Sequence, residues 1–484
     1  MTATAQIAVH DDVYVGGRWV PSNSTARIDV VDPATEVAYA QVPDGDAVDV
    51  DRAVAAARAA FPAWSATTGA ERSAVLHRFA DEFERRTDSL SALLTRENGS
   101  TVAETGAASG HAAATLRYYA DLTGMLSDEV RPFPRGPLES VVRRLPVGVA
   151  GLITPWNYPL ALVMTKLAPA LMAGCTTVVK PAPETPLHVR LLVEAAEAAG
   201  VPAGVINVVT GGGAAGAALV GHPDVDKIAF TGSTVTGRAI GERCGGLLRS
   251  VTLELGGKSA AVVLDDVDLD LFSRSVVRLS LRNAGQTCYN CTRVLVPQSR
   301  YSEILDRIVD SVRAAPVGDP TDPATVFGPV VSARQRERVE GYIEIGKQEG
   351  ARLLTGGGRP AGLDRGWYVD PTVFGDVAPG MRIAQEEIFG PVLSVLPYTD
   401  VDNAVRIAND SSYGLAGSVF GVDEGRADAV ARRIETGNIG INLYSSNYAA
   451  PFAGRKDSGV GVEFGPEGMA SYQVFQSIHR KQAD

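Results

Sequence analysis

From Val147 onward the chain settles into an alternation that narrows the possible folds more than anything else in the sequence. Short runs rich in Val, Ile, Thr and Gly, at Val147 to Thr154, Thr176 to Lys180, Val205 to Thr210 and Lys227 to Thr231, are separated by stretches with helical periodicity. Nearly continuous apolar strands must be covered on both faces, so the pattern predicts parallel βαβ units with helices packed on a sheet. A second alternating region starts at Ser259. Its strands fall over Ala260 to Leu264 and Thr292 to Val296 and its helices over Tyr301 to Ala314 and Ala333 to Glu349, which predicts a second α/β domain. Before Arg143 the texture is helix-rich, with apolar residues three and four apart over Asp49 to Ala60, Gly69 to Glu84 and Leu90 to Glu97. One crossover helix shows its own limits: Thr185 as cap, Pro186 in the first position, Leu191, Leu192, Ala195 and Ala199 on the apolar face, and Gly200 with Pro202 as the stop.

A chain of 484 residues is too long for one core, so two or three domains are expected. Its net charge of −11 and lack of a Lys/Arg run argue against a nucleic-acid partner. Val147 to Cys175 is apolar enough to raise a membrane question, but Pro155, Asn157, Pro159, Lys166 and Pro169 would leave polar groups unsatisfied in lipid. A buried core segment is expected instead. The opening residues carry no basic region followed by an apolar stretch, so a cytoplasmic protein is expected, with Cys175, Cys244, Cys288 and Cys291 as reduced thiols. The six histidines are scattered, and no metal site is expected.

Four stretches carry chemistry. Gly211-Gly212-Gly213-Ala214-Ala215-Gly216 fits the dinucleotide fingerprint after a strand, yet the next strand ends in Phe230-Thr231-Gly232-Ser233 with no acidic residue, so a plain tight turn fits as well. Phe230 to Gly237 is the stronger phosphate candidate. Ser233 can cap the helix that follows, whose free N–H groups would face an anion, although an ordinary capped helix has the same pattern. Glu254 lies between leucines before Gly256, Gly257 and Lys258, a setting that raises a carboxyl pKa and suits general-base work, unless it is a surface turn residue. Cys288 and Cys291 stand in C-x-x-C spacing, open to three readings: a redox dithiol, half a zinc site, or one nucleophile with a bystander. A nucleophilic thiol needs a dipole, base or cation nearby.

Thr154-Pro155-Trp156-Asn157-Tyr158-Pro159, Lys180-Pro181, Phe230 to Ser233, Glu254 to Lys258, Gly285-Gln286-Thr287-Cys288, Glu386 to Pro391 and Pro451-Phe452 occur in the order seen in the aldehyde dehydrogenase superfamily, including 34 positions between Glu254 and Cys288. On these strings, spread over nearly the whole chain, the protein resembles that family in its NAD(P)-dependent, non-acylating form. The resemblance implies Cys288 as nucleophile, Asn157 and the Cys288 N–H as oxyanion donors, Glu254 as the base for hydrolysis of a thioester, and Lys166 with Glu463 as a buried pair near Glu254. It places Ser233 and the Gly232 to Gly237 turn on a pyrophosphate, Lys180 on the adenosine ribose, Glu387 on the nicotinamide ribose and Phe389 on the nicotinamide. Trp156, Glu184, Gly211 and Leu255 complete the expected cofactor set, with the Gly211 loop at the adenine end. Tyr158, Leu162, Thr165, Thr287 and Tyr289 are expected on the substrate pocket wall, without a cation to grip a second carboxylate, which favours an uncharged aldehyde.

The implied fold is three-part: a Rossmann-like cofactor domain over residues 1–123 and 145–254, an α/β catalytic domain over 255–470, and a small β oligomerisation arm over 124–144 and 471–484. A homodimer or homotetramer follows from such an arm. Two departures stand out. Where many NAD-preferring relatives carry a Glu three positions after the Lys, this chain has Pro183, with Glu184 one step later, so NAD is expected with NADP open. The common Pro-Phe-Gly-Gly reads Pro451-Phe452-Ala453-Gly454. The alternatives are a CoA-acylating semialdehyde dehydrogenase, against which the presence of Glu254 speaks, a thiol redox protein using Cys288 and Cys291, and a non-catalytic protein of the same fold.

Overall fold

In the computed structural model, which describes residues 7–482, the alternation resolves into two large sheets. The ends of the expected domain division, 1–6 and 483–484, lie outside the described residues. In the first sheet five parallel strands stand in the order Ser250–Glu254, Lys227–Thr231, Val149–Ile153, Thr176–Lys180, Ile206–Val208. Antiparallel strands extend it on both sides: Asp12–Val15 and Arg18–Pro21 beyond Ile206–Val208, and Gly459–Val460 beside Ser250–Glu254. Every residue of Val149–Ile153, Thr176–Lys180 and Lys227–Thr231 is buried, as strands covered on both faces require. Successive strands build outward from Val149–Ile153 first in one direction, then the other. A crevice therefore opens beyond the carboxyl ends of Val149–Ile153 and Lys227–Thr231, where the order reverses.

The second sheet runs Arg352–Thr355, Thr372–Gly375, Val392–Tyr398, Arg293–Pro297, Ala260–Val263, Gly417–Phe420, Gly440–Ile441, parallel except at the first strand. A third, antiparallel sheet joins Glu129–Pro132, Leu138–Pro146 and Gln473–Lys481. The molecule is thus a mixed α/β protein.

Thr176–Lys180 and Lys227–Thr231 match the sequence reading to the residue, whereas Val205 to Thr210 shortens to Ile206–Val208. The first helix runs longer than its periodicity, Ala47–Ser65, and it starts at Ala47 because Asp46 caps it and closes a capping box with Asp49 in the first turn. The crossover helix is His188–Ala198, so Thr185 is not its cap. Leu187 takes the cap position and makes no side-chain cap bond, its own N–H donates to Glu97 Oε1 on the Thr87–Asn98 helix, and the Thr185 hydroxyl has no partner. The apolar stretch that begins at Val147 becomes the Val149–Ile153 strand and the Pro159–Ala173 helix, nearly all of it buried, Lys166 included. Among the described residues no helix is long and apolar enough to cross a membrane.

Candidate active site

The crevice at the strand reversal collects three chain segments. After Val149–Ile153 the chain passes through Thr154 to Tyr158 before Pro159, whose fixed φ suits a first helical turn, opens the next helix. After Lys227–Thr231, Gly232 and Ser233 lead into the Thr234–Gly246 helix, and Ser233 Oγ accepts from the Thr236 N–H at 3.3 Å. Glu254 ends the fifth parallel strand. The first βα turn of the sheet carries no glycine fingerprint. The Gly211 to Gly216 loop follows Ile206–Val208, away from the reversal, which explains its missing acidic partner.

Cys288 arrives from the second sheet on a constrained loop. Asn283, Ala284 and Gly285 take φ of 55°, 51° and 78°, a left-handed run that Asn and Gly tolerate but that costs Ala roughly 1–2 kcal/mol. Tertiary bonds hold it: Ser100 Oγ donates to Asn283 Oδ1 at 2.6 Å, and Asn283 Nδ2 donates to the Asn157 carbonyl at 3.0 Å. In return Asn157 Nδ2 donates to the Gln286 carbonyl at 3.0 Å, which commits one of its two N–H bonds and fixes the amide plane. Gly257 must be glycine for the same loop to close, since a Cβ there would stand 2.5 Å from the Cys288 carbonyl oxygen.

Three cavities run through the crevice. The first, about 720 Å³, is lined by Lys180, Pro183, Glu184, Gly212, Gly213 and Arg243 among others. The second, about 400 Å³, shares Trp156, Gly232 and Ser233 with it and adds Leu255, Glu387 and Phe389. The third, about 260 Å³, is walled by Tyr158, Leu162, Thr165, Tyr289, Phe452 and Phe464. Among the described residues the second and third have only Asn157, Glu254 and Cys288 in common. A reacting atom at that junction is therefore open to one cavity on each side.

The junction is electrostatically tuned. Glu254 is pushed up to about 8, first by burial and then by Glu463, against the pull of Lys166 and of the nearby Cys288 thiol, and neither carboxyl oxygen has a well-formed hydrogen bond. The Cys288 thiol is held well above its ordinary value by burial and by Glu254. Behind them Lys166 Nζ lies 2.7 Å from Glu463 Oε1 and donates to Thr231 Oγ1 at 2.6 Å. Glu387 is raised to about 7 by burial, with its carboxylate accepting from the Gly257 N–H at 2.9 Å. Burial lowers Lys180 to about 8, and its ammonium donates to the Pro181 and Gly211 carbonyls. Phe389, at φ 62°, meets the Trp156 ring edge-on at 5.3 Å.

Not every expected residue faces a cavity. Thr287 stands behind the wall, its hydroxyl 2.8 Å from the Tyr158 hydroxyl. Gly237 lets its helix pack on Leu255, whose side chain a Cβ would strike. Gly211 offers its carbonyl to Lys180 while its neighbours Gly212 and Gly213 line the space. The expectation of a wall without a cation is corrected: Arg282 lines the third cavity with Glu104 and His111. Arg282 lies just beyond the Leu269–Leu281 helix and pairs with a residue 178 positions away, a meeting that no local pattern signals. Thr231, Arg334, Gln335 and Arg338 at the second cavity were also missed. Cys291 is fully buried in the core beneath the second sheet, and all four cysteines are free thiols.

A family model described as the aldehyde dehydrogenase family matches residues 19–478. The chain is similar to a geranial dehydrogenase of Castellaniella defragrans, 50% identical over 474 residues, spanning 97% of this chain and 98% of that one. Among solved structures it is similar to a Mycobacterium tuberculosis aldehyde dehydrogenase complexed with NAD+, at TM-score 0.95 and 45% identity over 98% of both chains. It is also similar to a mutant of aldehyde dehydrogenase C from Pseudomonas syringae, complexed with NAD+ and octanal, at TM-score 0.93 and 40% identity over 99% of this chain and 97% of that one.

Proposed function

The chain belongs to the aldehyde dehydrogenase family, and from that premise we propose how it oxidises an aldehyde to a carboxylic acid with NAD: Cys288 is the nucleophile, Asn157 the oxyanion donor and Glu254 the base. The observation that carries the assignment is that, among the described residues, these three alone border both the second and the third cavity.

The residues of the first two cavities fit a dinucleotide. The two spaces meet at Trp156, Gly232 and Ser233, the Thr234–Gly246 helix begins there at Ser233, and Glu387 presents a buried carboxylate to them. Ser233 and Gly232 would hold the pyrophosphate, Lys180 and Glu184 the adenosine ribose, Glu387 the nicotinamide ribose, and Trp156, Leu255 and Phe389 the ring. Bound there, NAD supplies the hydride acceptor. With Glu184 at the ribose end in place of the more usual earlier Glu, NAD is the preferred cofactor and NADP the poorer one.

The protein's own steps follow from the junction. The Cys288 sulfur, its proton released to solvent, adds as the thiolate to the aldehyde carbon and the carbonyl oxygen becomes an oxyanion. The Asn157 amide, held flat by Gln286, and the Cys288 N–H stabilise it. After the hydride has left, the acyl group remains on Cys288 as a thioester. Glu254 then takes a proton from water, which attacks the acyl carbon and returns the thiol. Glu254 has both carboxyl oxygens free for this work.

The substrate of this reading is an uncharged aldehyde with an apolar chain. Tyr158, Leu162, Phe452 and Phe464 give the third cavity an apolar body, and relatives are named for geranial or held octanal. The three-stranded arm exposes Val474, Phe475 and Ile478 on its Gln473–Lys481 strand, an apolar edge that a second copy would cover, so we assign a homo-oligomer. Four free cysteines suit the cytoplasm. The test is NADH formation over a panel of alkanals: wild type turns over, Cys288→Ala binds NAD but does not, and turnover by that variant overturns the assignment.

A further inference from the structure

The third cavity holds a cation that is already occupied. Arg282 Nε donates to Glu104 Oε2 at 2.8 Å, a terminal guanidinium nitrogen lies 2.7 Å from the same oxygen, and another donates to the Tyr289 hydroxyl at 3.0 Å. The guanidinium also sits over the Tyr158 ring, 5.6 Å from its centre. These groups are partly exposed to the cavity, which Glu104 and Arg282 both line.

We propose that the Arg282–Glu104 pair is a specificity determinant: Glu104 occupies the one guanidinium that, among the described residues, lines the substrate cavity and would otherwise bind a carboxylate, and so directs the enzyme to uncharged aldehydes and away from ω-oxoacids. This rests on the aldehyde-oxidising reading of the same cavity. An Arg fork is the preferred partner for a carboxylate, so an unpaired Arg282 would recruit one. With Glu104 in place, a second carboxylate must displace it or sit beside it, and leaving a partly buried carboxylate unpaired is the costly outcome. Rejection of the wrong substrate by a group already in position is specificity by repulsion, which an apolar wall alone does not give. The other titratable groups of the cavity do not offset the pair. Burial and Arg282 hold His111 below its ordinary value, and Glu254 and Glu463 add no positive charge.

The pair also explains how a cation can stand in the same wall as Leu162, Phe452 and Phe464. Arg282 bridges Glu104, next to the end of the short Val102–Thr105 helix, and Tyr289, which follows the nucleophile. Its carbonyl accepts from Thr287 Oγ1 and Asn290 Nδ2, so its backbone belongs to the cysteine loop while its side chain faces substrate.

The experiment compares ω-oxoacids of graded length with the matching alkanals and reads the ratio of their kcat/KM values. In the wild type the alkanal is favoured by at least about ten-fold. Glu104→Gln keeps shape and hydrogen bonding but releases the guanidinium, and should raise the oxoacid-to-alkanal ratio on the order of ten- to a hundred-fold, the value of one hydrogen bond to a charge. Adding Arg282→Gln to that variant should return the ratio to the wild-type value. A folded, NAD-binding Glu104→Gln enzyme with an unchanged ratio overturns the proposal, as does a wild type that prefers oxoacids, a result that needs no variant. Absence of NADH from both substrate classes in the wild type overturns the aldehyde-oxidising function itself, and the proposal with it.

Discussion

Lys166 and Glu463 form an ion pair 2.7 Å long, with side chains 0% and 6% exposed, and the two act in opposite directions on Glu254. Glu463 raises the Glu254 carboxyl and Lys166 lowers it, while burial contributes more than either. The base form of Glu254 therefore accumulates only as pH rises through about 8, and kcat, which includes hydrolysis, should climb through that value and fall as pH drops below it. Lys166→Met should shift the climb to higher pH and Glu463→Gln to lower pH. Either change also breaks a buried pair, at a cost of about 3–5 kcal/mol in stability. Opposite shifts in the pH profile distinguish tuning from damage, since loss of stability alone moves neither. A wild-type limb near the ordinary carboxylate value of about 4.3 would show that Glu254 does not limit the rate.

Gly257 sits between the strand that ends at Glu254 and the Ala260–Val263 strand of the second sheet, and a Cβ there would come within 2.5 Å of the Cys288 carbonyl oxygen and 3.3 Å of Leu415 Cβ. Gly257→Ala should push the cysteine loop aside. The expected loss is roughly 1–3 kcal/mol of stability from overpacking and on the order of 10²-fold in kcat from misplacing the sulfur. Wild-type kcat in this variant would mean that the loop gives way without moving Sγ.

At the opposite end of the crevice, Glu184 Oε1 lies 3.3 Å from an Arg334 guanidinium nitrogen, in a cavity that Lys180 and Arg243 also line. A carboxylate there repels a 2′-phosphate and occupies a cation that would bind one. Glu184→Gln should raise the NADP-to-NAD ratio of kcat/KM about ten-fold, equivalent to roughly 1.4 kcal/mol. No change in the ratio would place Glu184 outside cofactor discrimination.

Phe475 is 66% exposed on a strand whose residues after Gln473 all face solvent. If that edge is the contact between copies, Phe475→Asp should lower the mass measured by sedimentation velocity at micromolar concentration while the folded core persists. An unchanged mass would move the interface elsewhere.

The parts of the molecule legible in the sequence are those set by local pattern. Thr176–Lys180 and Lys227–Thr231 declare themselves because strands buried on both faces must be apolar throughout. The crossover helix starts later than the Thr185-Pro186 pattern predicts, because its cap position falls on Leu187, whose N–H is held by a carboxylate 90 residues earlier, while the Thr185 hydroxyl is left unbonded. The motif strings name Cys288, Glu254 and Asn157, but not that they meet, since Cys288 and Glu254 come from different sheets. Arg282 escaped for a related reason: its pairing with Glu104 spans 178 positions, and neither residue belongs to a periodic face. Thr287 and Gly237 lie in site motifs yet serve packing, a distinction made by side-chain direction and not by residue type.

The division of labour at the junction is tested most sharply by Glu254→Gln, which removes a base while keeping shape and hydrogen-bonding capacity. Two roles are open to a carboxyl so placed: accepting the thiol proton before addition, and accepting a proton from water during hydrolysis. The Cys288 thiol is itself raised by burial and by the Glu254 charge, so neutralising position 254 removes one cause of that elevation and makes the thiolate easier to form. Addition and hydride loss should therefore survive, with Asn157 still held by Gln286. Hydrolysis loses its base, and steady turnover should fall by ~10²–10⁴-fold. The expected record is a burst of NADH comparable to the enzyme concentration, followed by a near-stalled phase, with a mass increase on Cys288 equal to the acyl group. Absence of both burst and adduct with a good alkanal would show that Glu254 acts before hydride loss, as the acceptor of the Cys288 proton. Unchanged steady turnover would remove Glu254 from the chemistry and leave its burial and its raised carboxyl as consequences of packing alone.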